Sequence, residues 1–450
     1  MLSFVQNFFA PRCNPIGIDF GSDSLRLAQV SHSGGEWQLT AAACADVPSH
    51  VRHDAGARLN FFVETTRDLL LQGRFKGRQA VLGLPAATMF IQHLRMPKLD
   101  ADAMKKALPW ELRGKLPIDP THALLRHMVA VDVYEEQEPK SEVIVIAAAK
   151  EAVNSFLAAA GRAKLDVVGM NVEPRAIVDC FSQIYRRKTD EGLVTCYVDI
   201  GCVSTRAVVA VGSEILFART IPVGGDHFSR ATANALKLKL DEAKLLRVKI
   251  AQALGALAGE SRREVAPATR SAEAAMDASI ENSFALLSSV RSEAPGPQRF
   301  PVGNPPPQPA ARPTVAEEPA QAGFDPEFAR QAREVEQGCR EPLNRLVEEL
   351  ELCRRYYEMT FQDRPIGRLV FIGGEARQKS LCQHIAKAMG LAAQVGDPLA
   401  RLARGADLGI ESGIDRRQPQ PGWAVSVGLS MGPAAGGQTI ATAAAAELNK

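Results

Sequence analysis

The stretch GIDFGSDSLRL, Gly17–Leu27, decides how the chain is read. Ile16–Asp19 is an apolar run that ends in a carboxylate. Phe20-Gly21-Ser22-Asp23 reads as a turn, and Ser24–Val30 alternates like a returning strand. A strand ending in Asp-x-Gly-Ser sets one carboxylate beside a row of backbone N–H groups. Glycine has no Cβ, so this backbone can approach a phosphate closely. The amides, with the hydroxyls of Ser22 and Ser24, would hold phosphate oxygens. Asp19 would reach a magnesium ion through water, because Mg²⁺ sheds its water reluctantly.

The pattern returns downstream as YVDIGCVSTRAVV, Tyr197–Val209, which offers Asp199, Gly201, Ser204 and Thr205 in nearly the same arrangement. It is a repeat of pattern, not of close identity, and it predicts two related units facing one another. A third turn, LVFIGGEAR, Leu369–Arg377, ends a strand in Gly373-Gly374 and suits close packing against a base or ribose. An Asp-x-Gly turn by itself is usually only a turn. Three in this order are far more specific, because two half-clefts can then clamp one nucleotide from opposite sides.

Outward from these turns, Trp37–Cys44 reads as a further strand and Ala57–Leu71 as a helix. Val81–Leu84, Thr88–Leu94, Leu124–Tyr134 and Val143–Ala149 read as strands. Helices are expected over Ala101–Leu112, capped by Asp100 or Asp102, and over Lys150–Ala163. Asp226–Leu254 reads as helical, Pro326–Phe361 as one long helix or two broken at Pro342, and Lys379–Met389 as a further helix. Ten of the 28 prolines lie between 295 and 326. Residues 255–325 therefore read as a largely disordered insertion with a short helix near Ala274–Leu287, since so little apolar surface cannot offset the entropy of ordering.

Composition excludes several classes. The formal net charge of +2 gives no field that would favour a nucleic-acid partner. The eight cysteines include no C-x-x-C pair, so reduced thiols are expected rather than disulfides or zinc. His50 and His53 form an H-x-x-H without a third ligand. No apolar run reaches the ~18 residues that would span a bilayer. The N-terminus carries Leu2, Phe4, Val5, Phe8 and Phe9, either a greasy helical face for a membrane or partner, or a segment packing back on the first domain.

On these turns the chain resembles the actin, heat-shock protein and sugar-kinase superfamily. Within it, the chain is most similar to the PilM family of type IV pilus assembly proteins. The stretches LRMPKLDADAMKKALPWELRGKLPID and VIVIAAAKEAVNSFLAAAGRAKLDVVGMNVEPRA resemble the extra subdomain shared by PilM and the division protein FtsA. IPVGGDHFSRATANAL, Ile221–Leu236, and LVEELELCRRYYEMTF, Leu346–Phe361, are likewise similar. The likeness covers roughly 14–254 and 326–431.

The resemblance implies an α/β, actin-like (ribonuclease H-like) two-lobed fold with an FtsA/PilM-type extra α+β subdomain. Its parts would be a first subdomain over 1–78, the inserted one over 79–168, a return to the first lobe over 169–191, the second lobe over 192–254 and 326–432, and a tail over 433–450. It implies ATP or ADP with magnesium. Asp19 and Asp199 would sit near the metal. Gly21, Ser22, Ser24, Arg26, Gly201 and Thr205 would lie at the phosphates, and Gly224, Gly225, Glu242, Arg247, Gly373 and Gly374 along the rest of the nucleotide. Glu173, in a Glu-Pro turn, is the candidate to orient an attacking water; the alternative is a helix N-terminal charge favoured by the dipole.

The implied role is a cytoplasmic scaffold at the inner face of the inner membrane. It would bind the tail of a PilN-like membrane protein, meet other pilus assembly proteins, and possess the capacity to self-associate. A carbohydrate kinase of the same superfold and an FtsA-like filament-forming adaptor are the alternatives. Two departures bear on hydrolysis. Arg26 stands where the family usually has Lys. Glu242-Ala243-Lys244-Leu245-Leu246-Arg247 places a lysine where a carboxylate is expected near the ribose. These favour an adaptor that binds nucleotide over an efficient ATPase.

Overall fold

The structure is a computed structural model that describes residues 13–135, 138–263, 326–404 and 413–432. β1 (Ile16–Phe20) is buried along its whole length, as a strand covered on both faces must be. It pairs antiparallel with β2 (Ser24–Ser33), which pairs in turn with β3 (Glu36–Asp46). On its other side β4 (Gln79–Gly83) and then β8 (Asp166–Asn171) add in parallel. The two-residue β14 (Ala403–Arg404) closes the outer edge beside β3.

The second sheet repeats this order. β9 (Thr195–Ile200) pairs antiparallel with β10 (Thr205–Val211), β10 with β11 (Glu214–Ile221), and β12 (Arg368–Ile372) and β13 (Ala393–Val395) add in parallel on the far side. The strand orders are β14-β3-β2-β1-β4-β8 and β11-β10-β9-β12-β13. The repeat read in the sequence is thus a repeat of sheet construction: an antiparallel meander whose first strand also carries two parallel partners. These are the two lobes of an actin-like fold.

Between β4 and β8 the chain builds the extra α+β subdomain. Its sheet runs β5 (Met89–Pro97), β7 (Glu138–Ala149), β6 (Ala123–Glu135). Helix Ala101–Glu111 covers it, capped by Asp100, whose carboxylate accepts from the amides of Asp102 and Ala103. Leu94, Met96, Met104, Leu108, Leu112, Val143 and Val145 form its own small core.

The chain's last described helix, Ala424–Met431, leaves the second lobe and packs into the first. It lies against β1 and helix Glu173–Ser182. The approach is so close that a Cβ on Gly17 would collide with the backbone of Ser426 and Ser430, and one on Gly428 with the carbonyl of Ala176. Ser430 Oγ donates to the Pro15 carbonyl at 2.7 Å, and Asn14 Nδ2 donates to the Ser430 carbonyl at 2.8 Å.

Two helical stretches gain detail. The one over 226–254 is built as two helices, Gly225–Leu236 and Leu240–Arg263. Lys237 breaks it by adopting a left-handed conformation, φ 58°. Helix Pro326–Thr360, by contrast, runs on through Pro342, with Val335, Leu346, Leu350, Cys353 and Tyr357 on its buried stripe. The greasy N-terminus, the insertion with its short helix near 274–287, and the tail lie outside the described residues. Among the described residues no helix is long and apolar enough to cross a membrane.

Candidate functional site

The two Asp-bearing strands bring their ends to one place. Asp19 and Asp199 each stand one residue from the end of their strands, β1 and β9. Both are buried, at 8% and 5% exposure. Glu173, the first residue of helix Glu173–Ser182, is 4% exposed at the same centre.

Arg206 lies among these carboxylates. Strand register sets it directly opposite Asp199 across the β9–β10 pair. Its Nη1 donates to Asp199 Oδ2 at 2.8 Å and its Nη2 to Glu173 Oε1 at 2.7 Å, while Nε closes on Glu173 Oε2. The guanidinium thus holds Glu173 by one hydrogen bond and one ion-pair contact. Removing one partner of such a buried pair typically costs about 3–5 kcal/mol.

Burial sets the proton affinities. It pushes the Asp19 carboxyl up to about 6, against the pull of Arg26 and Arg206. It pushes Glu173 up to about 8, with Arg206 pulling it down and Asp19 and Asp199 adding to the rise. Burial alone would lower Arg206, yet the three carboxylates raise it. A group near 8 has a suitable affinity for a general base. The geometry opposes that role, because both Glu173 oxygens already face Arg206.

The glycines hold the turns together. A Cβ on Gly224 would strike the backbone of 201–204, and Gly225 N donates to the Gly201 carbonyl at 2.9 Å. Gly373 has φ 87°, and a Cβ there would crowd Asp199 Oδ1 and the Ile200 carbonyl. The second and third turns therefore pack together with Gly224-Gly225, and the first comes beside them, with Asp19 in the field of Asp199 and Arg206. Thr205 turns its hydroxyl inward instead, to the Val223 carbonyl at 2.7 Å.

The mouth of the cleft carries its own ion pairs. Lys244 Nζ, from helix Leu240–Arg263, reaches Asp23 Oδ1 and Oδ2 at 2.7 and 2.6 Å. Arg52 joins the same Asp23 at 2.5 Å. Arg58 donates to the carbonyls of Gly21 and Ser22 at 3.0 and 3.3 Å, fixing the first turn from behind. Deeper, Arg247 donates to Glu375 at 2.6 Å, to Ser229 Oγ at 2.8 Å and to the Gly225 carbonyl at 3.0 Å. Glu242 is exposed, and its carboxylate accepts from the Lys239 amide at 3.0 Å, at the start of its own helix. Arg26 faces Asp19 across β1–β2 and lies against Gly422. Gly21 lies at the first turn, Ser22 beside it, and Ser24 is buried at the start of β2, while Gly374 opens the turn after Gly373.

Sequence reasoning missed Arg206, Asp23 and Glu375. The one visible signal was a charge, Arg206, opening an otherwise apolar strand, TRAVVAV. This arginine also decides the fit of a metal. The magnesium expected through Asp19 and Asp199 does not suit the donor set, because Asp199 and Glu173 already hold a fixed guanidinium between them. Among the described residues no group of three His, Cys, Asp or Glu is placed to hold a metal ion.

A family model described as type IV pilus assembly protein PilM matches residues 17–264. One described as cell division protein FtsA matches residues 196–428. Among solved structures, the PilM-PilN type IV pilus biogenesis complex is similar at 21% identity, with 94% of this chain and 98% of that chain covered and a TM-score of 0.62. The ethanolamine utilization protein EutJ from Carboxydothermus hydrogenoformans matches at 13% identity over 94% and 90% of the two chains, with a TM-score of 0.44. MreB5 of Spiroplasma citri bound to ADP matches at 10% identity over 93% and 94%, with a TM-score of 0.38.

Proposed function

The chain belongs to the PilM family of type IV pilus assembly proteins, and from that membership we propose that it is a nucleotide-binding scaffold for the tail of a PilN-like inner-membrane protein. The observation that carries the nucleotide half is the packing of the second and third glycine turns together, with the first beside them. The partner half draws on the similar complex of PilM with PilN. In this reading the chain is cytoplasmic and reaches the membrane through its partner, with other assembly proteins and self-association to follow.

In the cleft, the backbone of 21–24 and of 201–204 would receive phosphates, with the Ser22 hydroxyl and Arg26 beside them. Gly224, Gly225, Arg247, Gly373 and Gly374 would line the base and ribose. Glu242 is left on the rim, where it serves its own helix. We read the parts as 1–78 with 169–191, 79–168, and 192–254 with 326–432. ATP or ADP would set how the lobes sit, and the partner would read that arrangement.

Two measurements test this. ATP should raise the melting temperature of the wild-type protein and should raise that of Arg26→Ala by less. A peptide from the cytoplasmic tail of a PilN-like protein should co-purify with the chain. No thermal shift with ATP would remove the nucleotide half, and no peptide capture with or without ATP would remove the scaffold half.

A further inference from the structure

We propose that Arg206 stands in for a metal ion in this cleft, excluding a divalent cation so that nucleotide is bound there metal-free. The inference rests on the nucleotide reading for its second half only.

Three observations carry it. First, the guanidinium occupies the space between the carboxylates that a hydrated Mg²⁺ would need. It bonds Asp199 Oδ2 at 2.8 Å and Glu173 Oε1 at 2.7 Å, and its Nε is ion-paired with Glu173 Oε2. Magnesium asks for near-octahedral oxygens at ~2.0–2.1 Å, its own waters included. Those waters would have to donate to carboxylates that already accept from an arginine.

Second, the cation cannot step aside cheaply. Arg206 is buried at 8% exposure on β10, between β9 and β11. Its partner Asp199 is set by strand register, not by a movable loop. An arginine side chain also keeps its charge at every pH a protein meets.

Third, what remains is too little for a metal. Asp19 has no hydrogen-bond partner among the described residues, and it is the single carboxylate of the three that Arg206 does not bond. A divalent ion there would sit beside Arg206 on one side and Arg26 on the other.

The experiment uses the full chain. Binding of Mn²⁺ alone is followed by electron paramagnetic resonance, and mant-ATP is titrated in Mg²⁺ and in EDTA. Wild-type protein should hold no Mn²⁺ that Asp19→Asn removes, and its mant-ATP affinity should agree within about twofold in the two buffers. Arg206→Ser should acquire Mn²⁺ binding and bind mant-ATP about tenfold tighter with Mg²⁺ than in EDTA. Wild-type Mn²⁺ binding that Asp19→Asn abolishes would overturn the inference, as would a tenfold loss of wild-type mant-ATP affinity in EDTA (about 1.4 kcal/mol). Absence of mant-ATP binding in both buffers defeats the nucleotide reading, and the Mn²⁺ arm still decides whether the metal is excluded. The wild-type arms need no variant, so a poorly folding Arg206→Ser does not shelter the idea.

Discussion

Tyr356 donates its hydroxyl to Glu142 at 2.6 Å and so fastens the end of helix Pro326–Thr360 to the central strand of the extra subdomain. Glu142 is fully buried, and His93 Nδ1 and Arg95 Nε lie 3.1 and 3.2 Å from its Oε1 and Oε2. These hydrogen bonds hold its carboxyl below the usual range although burial alone would raise it. His93 Nε2 lies 3.1 Å from the Ala218 carbonyl on β11, a second link to the same lobe.

Glu142→Gln keeps the volume and removes the charge, leaving an amide against two donors. We expect a loss of about 2–4 kcal/mol in urea unfolding, and about 1–2 kcal/mol for Tyr356→Phe. A loss for Glu142→Gln within measurement scatter would show that this network does not hold the subdomain.

Asp19 gives a pH signature. Burial pushes its carboxyl up to about 6, from an ordinary value of 3.8. The fold therefore favours the protonated form. That contribution is complete below about pH 4 and is lost as pH rises through 6, to a total of up to about 3 kcal/mol. Wild-type stability should fall relative to Asp19→Asn across this window in denaturant titrations at fixed pH. Parallel curves for the two proteins would refute the assignment.

Two glycines should answer oppositely to alanine. Gly428→Ala drives a methyl into the Ala176 carbonyl and should cost at least about 1–3 kcal/mol. Gly161, in helix Lys150–Arg162, has open space where its Cβ would be, so Gly161→Ala should stabilise by about 0.5–1 kcal/mol. Calorimetric melting of the pair checks both signs.

Lys244 and Asp23 are half-buried at 30% each, so their pairing is worth at most about 1 kcal/mol. Lys244→Ala should therefore leave the melting temperature nearly unchanged. It should speed mant-ADP release up to about fivefold in stopped flow, because the pair bridges the mouth of the cleft. Slower release would mean the lysine does not act as a closure.

What the sequence made legible follows from distance along the chain. Each turn, Gly21–Ser24, Gly201–Thr205 and Gly373–Gly374, writes its chemistry in neighbouring residues, so it can be read as a string. The strand pattern around Asp19 and Asp199 likewise foretold the doubled sheet. Arg206 could not be read in this way. Its meaning lies in a register partner on β9 and in Glu173, 33 residues away on a helix. Lys244 stood out as a departure, yet its partner Asp23 is 221 residues distant. Lys237 has no side chain that announces a left-handed turn, and β14 is too short for any periodicity.

The helix Ala424–Met431 has a consequence for synthesis. It seals the first lobe against Gly17 and Ala176, yet it is made long after β1. Until it emerges, β1 and helix Glu173–Ser182 lack the cover that buries them, and the lobe begun at residue 16 cannot close. The first lobe therefore does not mature in the order in which it is written, and a nascent chain stalled before residue 424 would present a bare apolar face to chaperones rather than a finished lobe.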